Sequence, residues 1–343
     1  MPQVNYFRLE EMARILLTAE GATENEAQEV ARHLARANLY GTDSHGVQLL
    51  PMYKDDIKKG VIRPGAEMVI LKDTPSTVLI DARRLWGQIA GDRAMKMAIE
   101  KAKKMGVGLA LIRNSSHFGA MWDFVEMVLE YNMIGWATSV CDPNVAPPGG
   151  AARVIGTNPM AFAIPAGKYN QIIIDSATST SSVGKLKVYA AKGLRIPEGW
   201  IVDKEGKPTT DPNDFFRGGT LLTRGGYYGF AFSLVAEALA GVLSGFGCRP
   251  LDNSQGGFFE AIDISHFISV DLFKSMIDEH IDVIKNSQRS PGVTEITLPG
   301  EPELRTKEKR LREGIPIPDS TWGELIKLGQ DVGVDVKKIA LGT

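Results

Sequence analysis

The chain has 343 residues, of which 43% are hydrophobic and 23% charged, and its formal net charge is −2. This is ordinary globular composition, at a length that allows two domains. A nearly neutral chain gives no electrostatic reason to expect nucleic acid or an anionic membrane as a partner. Two cysteines, Cys141 and Cys248, cannot build a disulfide framework, and no Cys/His spacing resembles a metal site. The chain begins without a signal-peptide pattern, so we expect a cytoplasmic protein.

The first forty residues have helical periodicity. Thr23 and Glu26 have the spacing of a capping box, and apolar residues follow at helix-face intervals. Gly41 ends that helix, and a short polar loop follows at 42–46. Beyond the loop, strand and helix patterns are interleaved, which indicates a mixed α and β fold. The patterns predict strands at 68–71, 77–80, 107–112, 134–140, 160–164, 171–174 and 258–264, and helices at 89–105, from 119, and at 270–285.

The longest apolar stretch of the sequence runs from 226 to 246. It contains Glu237 and several glycines, so we interpret it as a buried core helix rather than a membrane span. The last forty residues return to charged, helical composition after a Pro/Gly turn at 298–302.

Two of the five histidines lie in short polar loops. His45 directly follows Ser44 in the first loop, and His117 lies at the turn from a buried strand into a helix. An imidazole in such a loop can exchange a proton near neutral pH if its neighbours hold the right tautomer. The alternative is that each ring only hydrogen-bonds its own loop. The other histidines are expected to be solvated or satisfied in the core: His33, His266 and His280.

The sequence has no phosphate-binding signature. It contains neither a P-loop nor a G-x-G-x-x-G after a strand, because Gly106 and Gly108 flank the start of a strand rather than its end. Any dinucleotide would therefore bind on another scaffold. The pairs 149–150 and 225–226 would let backbone amides approach a pyrophosphate, but tight turns are the favoured interpretation of both. No G-x-S-x-G elbow indicates a serine nucleophile.

Seven short motifs, most of them in predicted loops, are distributed along essentially the whole chain. They are Asp43–Val47 with Pro51 and Tyr53, Asn114–Gly119, Gly156–Pro159, Asp175–Ser179, Ile196–Trp200 with Asp203, Gly206 and 208–212, Leu298–Pro302, and Gly314–Pro316. In this order they resemble the type-2 malate/L-lactate dehydrogenase family. That family also contains ureidoglycolate dehydrogenase, diketogulonate reductase, sulfolactate dehydrogenase and cyclic-imine reductases. Matches in loops argue against a likeness of fold alone.

The resemblance implies an oxidoreductase that uses NAD or NADP on a small-molecule substrate. It implies an α+β, non-Rossmann fold with a largely antiparallel sheet. Residues 1–66 and 303–343 would form a helical domain, and 67–302 a cofactor-binding domain with a helical excursion at about 226–290. Family members are usually homodimers. His45 would be the leading acid/base beside Ser44, with His117 the second candidate. The positions that match the family's cofactor contacts are Cys141, Asp175, Ser176, Ala177, Tyr228, Gly229, Gly300, Glu301 and Pro302.

Two positions depart from the family pattern. Four residues after His45, where the family has an arginine that binds the substrate carboxylate, this chain has Leu49. In the Gly-Gly-x-Lys-Gly motif, Tyr228 replaces a lysine that touches cofactor and substrate. Leu49 and Tyr228 are expected to line the pocket, which would make it less cationic and more apolar or aromatic than the family norm, unless Lys185 supplies another cation. The positions assigned to the substrate pocket are Leu49, Thr157, Asn158 and Lys185.

These departures leave the substrate open. A 2-oxo or 2-hydroxy acid, an imine and a less acidic carbonyl all fit the resemblance. A different class of function is also open, in which a family member has lost catalysis and serves as a binding or structural protein. Ser44, His45, His117 and Asp175 are all retained, which favours the enzyme.

Overall fold

The structure is a computed structural model that describes residues 1–169, 171–248 and 254–342. In this part of the chain the α-helices are α1 (Tyr6–Ala19), α2 (Glu24–Leu39), α3 (Leu50–Lys58), α4 (Gly87–Met105), α5 (Trp122–Glu126), α6 (Val183–Ala191), α7 (Asn213–Phe216), α8 (Tyr227–Ala236), α9 (Val270–Lys285), α10 (Glu301–Glu313), α11 (Asp319–Asp331) and α12 (Val336–Leu341). The strands are β1 (Gln3–Val4), β2 (Val69–Asp73), β3 (Thr77–Asp81), β4 (Val107–Ser115), β5 (Met133–Val140), β6 (Pro159–Pro165), β7 (Gln171–Ala177), β8 (Ile201–Val202), β9 (Pro208–Thr209), β10 (Thr220–Leu221), β11 (Gln255–Asp263) and β12 (Ile315–Pro316).

A seven-stranded sheet forms the centre of the molecule, in the order β2-β3-β4-β11-β5-β6-β7. The pair β3–β4 is parallel and is joined by α4, which supplies the crossover that a parallel pair needs. The other neighbouring strands pair antiparallel. All seven predicted strands belong to this sheet, and the predicted mixed α and β fold is confirmed.

Alternate residues of each central strand face opposite sides of the sheet, and each side is covered by helices. On one side, Ile112 and Phe259 pack in a core with α4 and α5. On the other side, Leu111 and Phe258 pack with the end of α8. The sheet is therefore buried between two helical layers, which explains why its central strands are apolar on both faces.

Both chain ends contribute to a separate helical core. Side chains from α1, α2, α3, α11 and α12 pack together, among them Leu16, Leu34 and Leu325. The short pairing of β1 with β12 ties the beginning of the chain to its last part. The predicted capping box starts α2, since Thr23 Oγ1 accepts from Glu26 N–H and Thr23 N–H donates to Glu26 Oε2 at 2.9 Å. Domain limits at 66 and 303 stay a prediction.

The apolar stretch 226–246 is only half buried, so its interpretation as a buried core helix is wrong for one face. It forms α8, followed by a π-helical turn at Glu237–Val242. Ala236 and Ala240 pack against the sheet, whereas Phe232 is 54% exposed and Val242 60% exposed. The stretch is apolar all round, and in one chain only one side finds a partner. No helix among the described residues is both long and apolar enough to cross a membrane.

Candidate active site

A cleft of about 560 Å³ lies where the helical core meets the edge of the sheet. Its wall combines the loop after α2, the turn before α5, the ends of β6 and β7, and the segment that leads into α10. These segments are far apart in sequence. The lining residues that carry polar groups or charges include Thr42, Ser44, His45, Thr157, Asp175, Ser176, Ser182, Arg224 and Glu303.

The loop that carries Ser44 and His45 is fixed through the residue before them. Arg310 of α10 binds Asp43 through two hydrogen bonds, with Nη1 2.6 Å from Oδ1 and Nη2 3.0 Å from Oδ2. Asn38 donates from Nδ2 to Asp43 Oδ1 at 2.8 Å and accepts from Val47 N–H, also at 2.8 Å. A bidentate arginine–carboxylate pair is among the stronger polar contacts in proteins. The loop is thus held from both chain ends.

Gly46 is required by this close packing. A Cβ atom at position 46 would overlap the side-chain amide of Asn38. Any larger residue would therefore displace the amide that accepts from Val47 N–H. Position 46, directly after His45, therefore requires glycine because there is no space for a side chain.

The rings of His45 and His117 stack, with centroids 5.7 Å apart and planes 14° apart. The His45 ring lines the cleft, whereas the His117 ring stacks on it and is not part of the cleft wall. Ser44 Oγ lies 3.0 Å from His45 Nδ1. The sequence expected either histidine at the site, and the structure brings both together across 72 residues of chain.

The tautomer of His117 follows from its hydrogen bonds. Gln88 donates from Nε2 to the hydroxyl of Tyr53 at 2.6 Å, and that hydroxyl lies 3.1 Å from His117 Nδ1. Because the hydroxyl oxygen already accepts from Gln88, its single hydrogen is available for donation to His117 Nδ1. The proton of the neutral His117 ring therefore sits on Nε2, assigned from this network.

Burial changes the acid–base behaviour of both rings. It lowers the pKa of His45 to about 4. It also lowers the pKa of His117, to about 3, and the neighbouring His45 adds to that shift because two stacked imidazolium charges repel. Both rings are consequently neutral at pH 7, and a neutral imidazole with a free nitrogen can accept a proton.

The turn that carries His117 is anchored on the start of α4. Ser116 is buried, and its Oγ accepts from Gly87 N–H at 2.9 Å. Ser116 N–H donates to Leu85 O at 3.2 Å. Gly87 has no room for a Cβ atom, because the carbonyl of His117 lies against it. The start of α4 and the turn that carries His117 therefore pack backbone to backbone.

Asp175 supplies a carboxylate at the end of β7. Its Oδ2 accepts from the N–H of Trp122, the first residue of α5, at 3.0 Å. The surrounding protein raises the pKa of Asp175 to about 6, and the N–H groups of Trp122 and Met121 partly offset that rise. The side chain stays open to the cleft, so its ionised form at pH 7 can accept hydrogen bonds from the hydroxyl groups of a ligand.

Most predicted cofactor positions lie on the wall of this cleft, namely Asp175, Ser176, Ala177, Gly300 and Pro302. Thr157, predicted for the substrate pocket, also lines it. Cys141 lies behind Thr157, with Sγ 3.5 Å from its Oγ1. Glu301 forms an ion pair with Lys285 at 2.7 Å instead of facing the cleft, and its neighbour Glu303 lines the wall.

Five other predicted positions do not line this cleft. Leu49 packs against the helical core, and Tyr228 is 75% exposed. Asn158 is fully buried and donates to Ser233 Oγ at 2.9 Å and to Glu237. Lys185 is exposed, with Nζ 5.0 Å from the Trp200 ring centroid. Gly229 is buried against the carbonyls of Thr178 and Arg224.

Sequence reasoning missed several residues of the site. Arg224 directly precedes the glycine pair 225–226, and that pair could have drawn attention to Arg224 as a residue of the site. Gln88 lies inside a helix pattern, and nothing in the sequence separates it from a surface residue. Arg310 binds Asp43 from 267 positions away, a contact that only the folded chain creates.

Comparisons with known proteins identify the family of this chain. A family model described as malate/L-lactate dehydrogenase matches residues 4–326. A malate dehydrogenase from Pyrococcus horikoshii is 40% identical over 334 residues, which cover 93% of this chain and 92% of that protein. An L-sulfolactate dehydrogenase from Methanocaldococcus jannaschii is 36% identical over 325 residues, which cover 92% of this chain and 93% of that protein.

A solved structure gives the same result in three dimensions. The malate dehydrogenase structure from Pyrococcus horikoshii OT3 superimposes with a TM-score of 0.89 at 36% identity, and the match covers 97% of this chain and 96% of that one. The resemblance inferred from the seven motifs is confirmed. The chain belongs to the malate/L-lactate dehydrogenase family of oxidoreductases.

Proposed function

We propose that this protein transfers hydride between NAD or NADP and a small carbonyl or imine compound, with a 2-oxo/2-hydroxy acid as the favoured substrate class. The observation that carries the proposal is the cleft in which His45, backed by His117, lies in the same wall as Asp175. Relatives are named for malate and for sulfolactate, and both compounds are hydroxy acids. Imines and less acidic carbonyls remain within the proposal.

His45 is the proposed acid/base. When bound, a nicotinamide cofactor would supply or accept the hydride. In the oxidation direction, the neutral His45 ring takes the proton of the substrate hydroxyl, and in reduction it returns that proton. His117 is the second candidate, and with the proton of its neutral ring on Nε2 it would serve as a hydrogen-bond donor. Ser44 orients His45 through Nδ1.

The residues around Asp175 suit a nicotinamide cofactor on a scaffold other than the Rossmann fold. The Asp175 carboxylate suits ribose hydroxyls, and the backbone at Gly300 comes within reach of the same cleft. Gly300 has φ +94° and lies against the backbone of Ile173, so the chain approaches the sheet closely at this point. Both NAD and NADP are compatible with these features, and a cytoplasmic location is part of the proposal.

A homodimer is also part of the proposal. The exposed apolar face of α8 and the π-helical turn after it, defined by Tyr227, Tyr228, Phe232, Leu234, Val235, Val242 and Leu243, is unusual for a monomer. We call this set the α8 face. A second copy of the chain would cover it.

The test is the absorbance of reduced nicotinamide, measured with NADH and NADPH separately across 2-oxo acids, cyclic imines and uncharged ketones. We expect turnover of at least one 2-oxo acid, and we expect His45→Ala to lower kcat by about 10²- to 10⁴-fold while cofactor binding survives. His266→Ala, at an exposed histidine away from the cleft, is the matched control.

Two results would contradict the proposal. Unchanged turnover in the His45→Ala protein would move the acid/base role to His117 or remove it from both. A protein that binds neither nicotinamide cofactor in a fluorescence titration would favour the alternative, a family member that acts as a binding or structural protein.

A further inference from the structure

We propose that Arg224 is the substrate-binding cation of this protein and that it binds the carboxylate of a 2-oxo or 2-hydroxy acid. This inference rests on the proposed function and extends it to a specific side chain. The carboxylate of such an acid needs a cationic partner inside the cleft, because an unpaired charge loses its hydration there. Leu49 supplies no charge.

Arg224 is the one basic lysine or arginine side chain on the cleft wall, among the residues that the structure describes. The same wall holds two carboxylates, Asp175 and Glu303. An anionic substrate that enters this cleft therefore meets repulsion from both carboxylates and attraction from Arg224. Lys185 does not take this part, because its ammonium lies over Trp200 outside the cleft wall.

The backbone of Arg224 is held firmly. Its N–H donates to Thr178 O at 2.8 Å, and its carbonyl accepts from Gly229 N–H, also at 2.8 Å. The residue before it, Thr223, forms a β-bridge with Ser179. These contacts hold the backbone of Arg224 against the segment that continues β7, next to the predicted cofactor-contact positions 175–177.

The guanidinium, in contrast, has almost no partner in the described part of the chain. There its one hydrogen bond runs from Nε to Ser179 O at the long distance of 3.5 Å. Among the described residues no carboxylate lies within ion-pair distance of it, although Asp175 and Glu303 share its cleft. Arg113, Arg153 and Arg310 each hold a carboxylate or backbone carbonyls at 3.1 Å or less. An anchored backbone with free, cleft-facing donors suits bidentate recognition of a carboxylate.

The test compares Arg224→Met and Arg224→Lys with the unmodified protein, using the 2-oxo acid that it reduces best. Loss of a charge-assisted pair predicts that Arg224→Met raises KM for the acid about 10- to 100-fold, with a smaller change in kcat. Arg224→Lys keeps the charge but loses the fork geometry, so we expect its KM for the acid to lie between those of the unmodified protein and Arg224→Met. Arg195→Met, at an exposed arginine that does not line the cleft, controls for removal of a surface charge.

Dissociation constants for NADH and NADPH, measured by fluorescence titration, separate the substrate carboxylate from a cofactor phosphate. We expect both constants to stay within about twofold of the unmodified protein in Arg224→Met. Weaker cofactor binding with unchanged KM for the acid would assign Arg224 to a phosphate and overturn the inference. Unchanged KM with unchanged cofactor binding would overturn it as well.

Failure of the proposed function would be visible separately, as absence of turnover in the unmodified protein. In that case oxalate, a small planar dicarboxylate, is titrated calorimetrically into the protein saturated with NADH. Binding that is lost in Arg224→Met and kept in Arg195→Met supports the anion site. Oxalate binding that survives in Arg224→Met, or is absent from the unmodified protein, rejects it.

Discussion

His45 lies in a loop whose position depends on small side chains and short contacts. Ser44 and Gly46 flank it, Asn38 packs beneath Gly46, and Arg310 holds Asp43. None of these residues performs chemistry in the proposal. Each of them limits where the His45 ring can lie, and a shift of about 1 Å in such a group can lower a rate substantially.

Gly46→Ala tests this packing at the scale of one methyl group. The new Cβ would overlap the Asn38 amide, so we expect a loss of about 1–3 kcal/mol in unfolding free energy and a lower kcat. Urea unfolding and initial rates measure the two effects. The matched control is Gly323→Ala in α11, where no atom lies within 4 Å of the added Cβ. There we expect a gain of about 0.5–1 kcal/mol, since alanine is the better helix former. Equal effects at both glycines would contradict the packing argument.

Among the helices, α2 is joined to α4 and α5 by a buried charged cluster around His33. His33 Nε2 lies 3.2 Å from Asp92 Oδ1, and Nδ1 binds Asp123. Burial alone would lower the pKa of His33, but Asp123 and Asp92 outweigh it and raise that pKa to about 9. Arg36 binds Asp123 at 2.6 Å and so balances the second carboxylate. The sequence predicted a solvated or core-satisfied His33, and the structure confirms the second.

The raised pKa of His33 gives a pH dependence with a definite sign. The folded state binds the His33 proton more tightly than the unfolded state, where the ordinary pKa is 6.5. Its contribution is therefore complete below pH 6.5 and is lost as pH rises through about 9. We expect His33→Gln to lower the unfolding free energy by about 1–3 kcal/mol more at pH 6 than at pH 9.5. Urea unfolding at both pH values measures the difference. A difference of the same size in His280→Gln, at an exposed position of α9, would contradict the assignment.

At the scale of the whole molecule, the exposed apolar residues of the α8 face raise the question of what covers them. Phe232 is 54% exposed and Leu243 56% exposed, whereas the opposite side of the same segment packs on the sheet. Exposed apolar surface of this kind typically marks a protein interface.

If the α8 face joins two copies, light scattering after size exclusion should give a mass about twice the chain mass of 37.3 kDa. Phe232→Glu would place a charge in that interface and should shift the protein to the monomer mass. Phe7→Glu, at a phenylalanine that is 71% exposed on α1, serves as the control and should leave the mass unchanged. A monomer mass for the unmodified protein would contradict the dimer.

Much of the secondary structure was predictable because it depends on local patterns. The seven main strands and the capping box of α2 follow from alternation and from the Thr23–Glu26 spacing. The helix expected from Gly119 begins only at Trp122, because Gly119 has φ +80°, outside the right-handed helical region. After α5 the chain tightens to a 3₁₀ turn at Met127–Tyr131. The π-helical turn after α8 has no local signal in the sequence.

By itself, the amino-acid sequence determined the mixed α and β class, the family and the two histidine loops, because each depends on residues that are close together in the chain. Tertiary structure decided which of these groups meet. It stacked His117 behind His45, moved Leu49 and Tyr228 off the cleft wall, and left Arg224 facing the cleft. It also showed that one face of α8 is exposed. Contacts between distant segments depend on how helices and strands pack, and no short pattern encodes them.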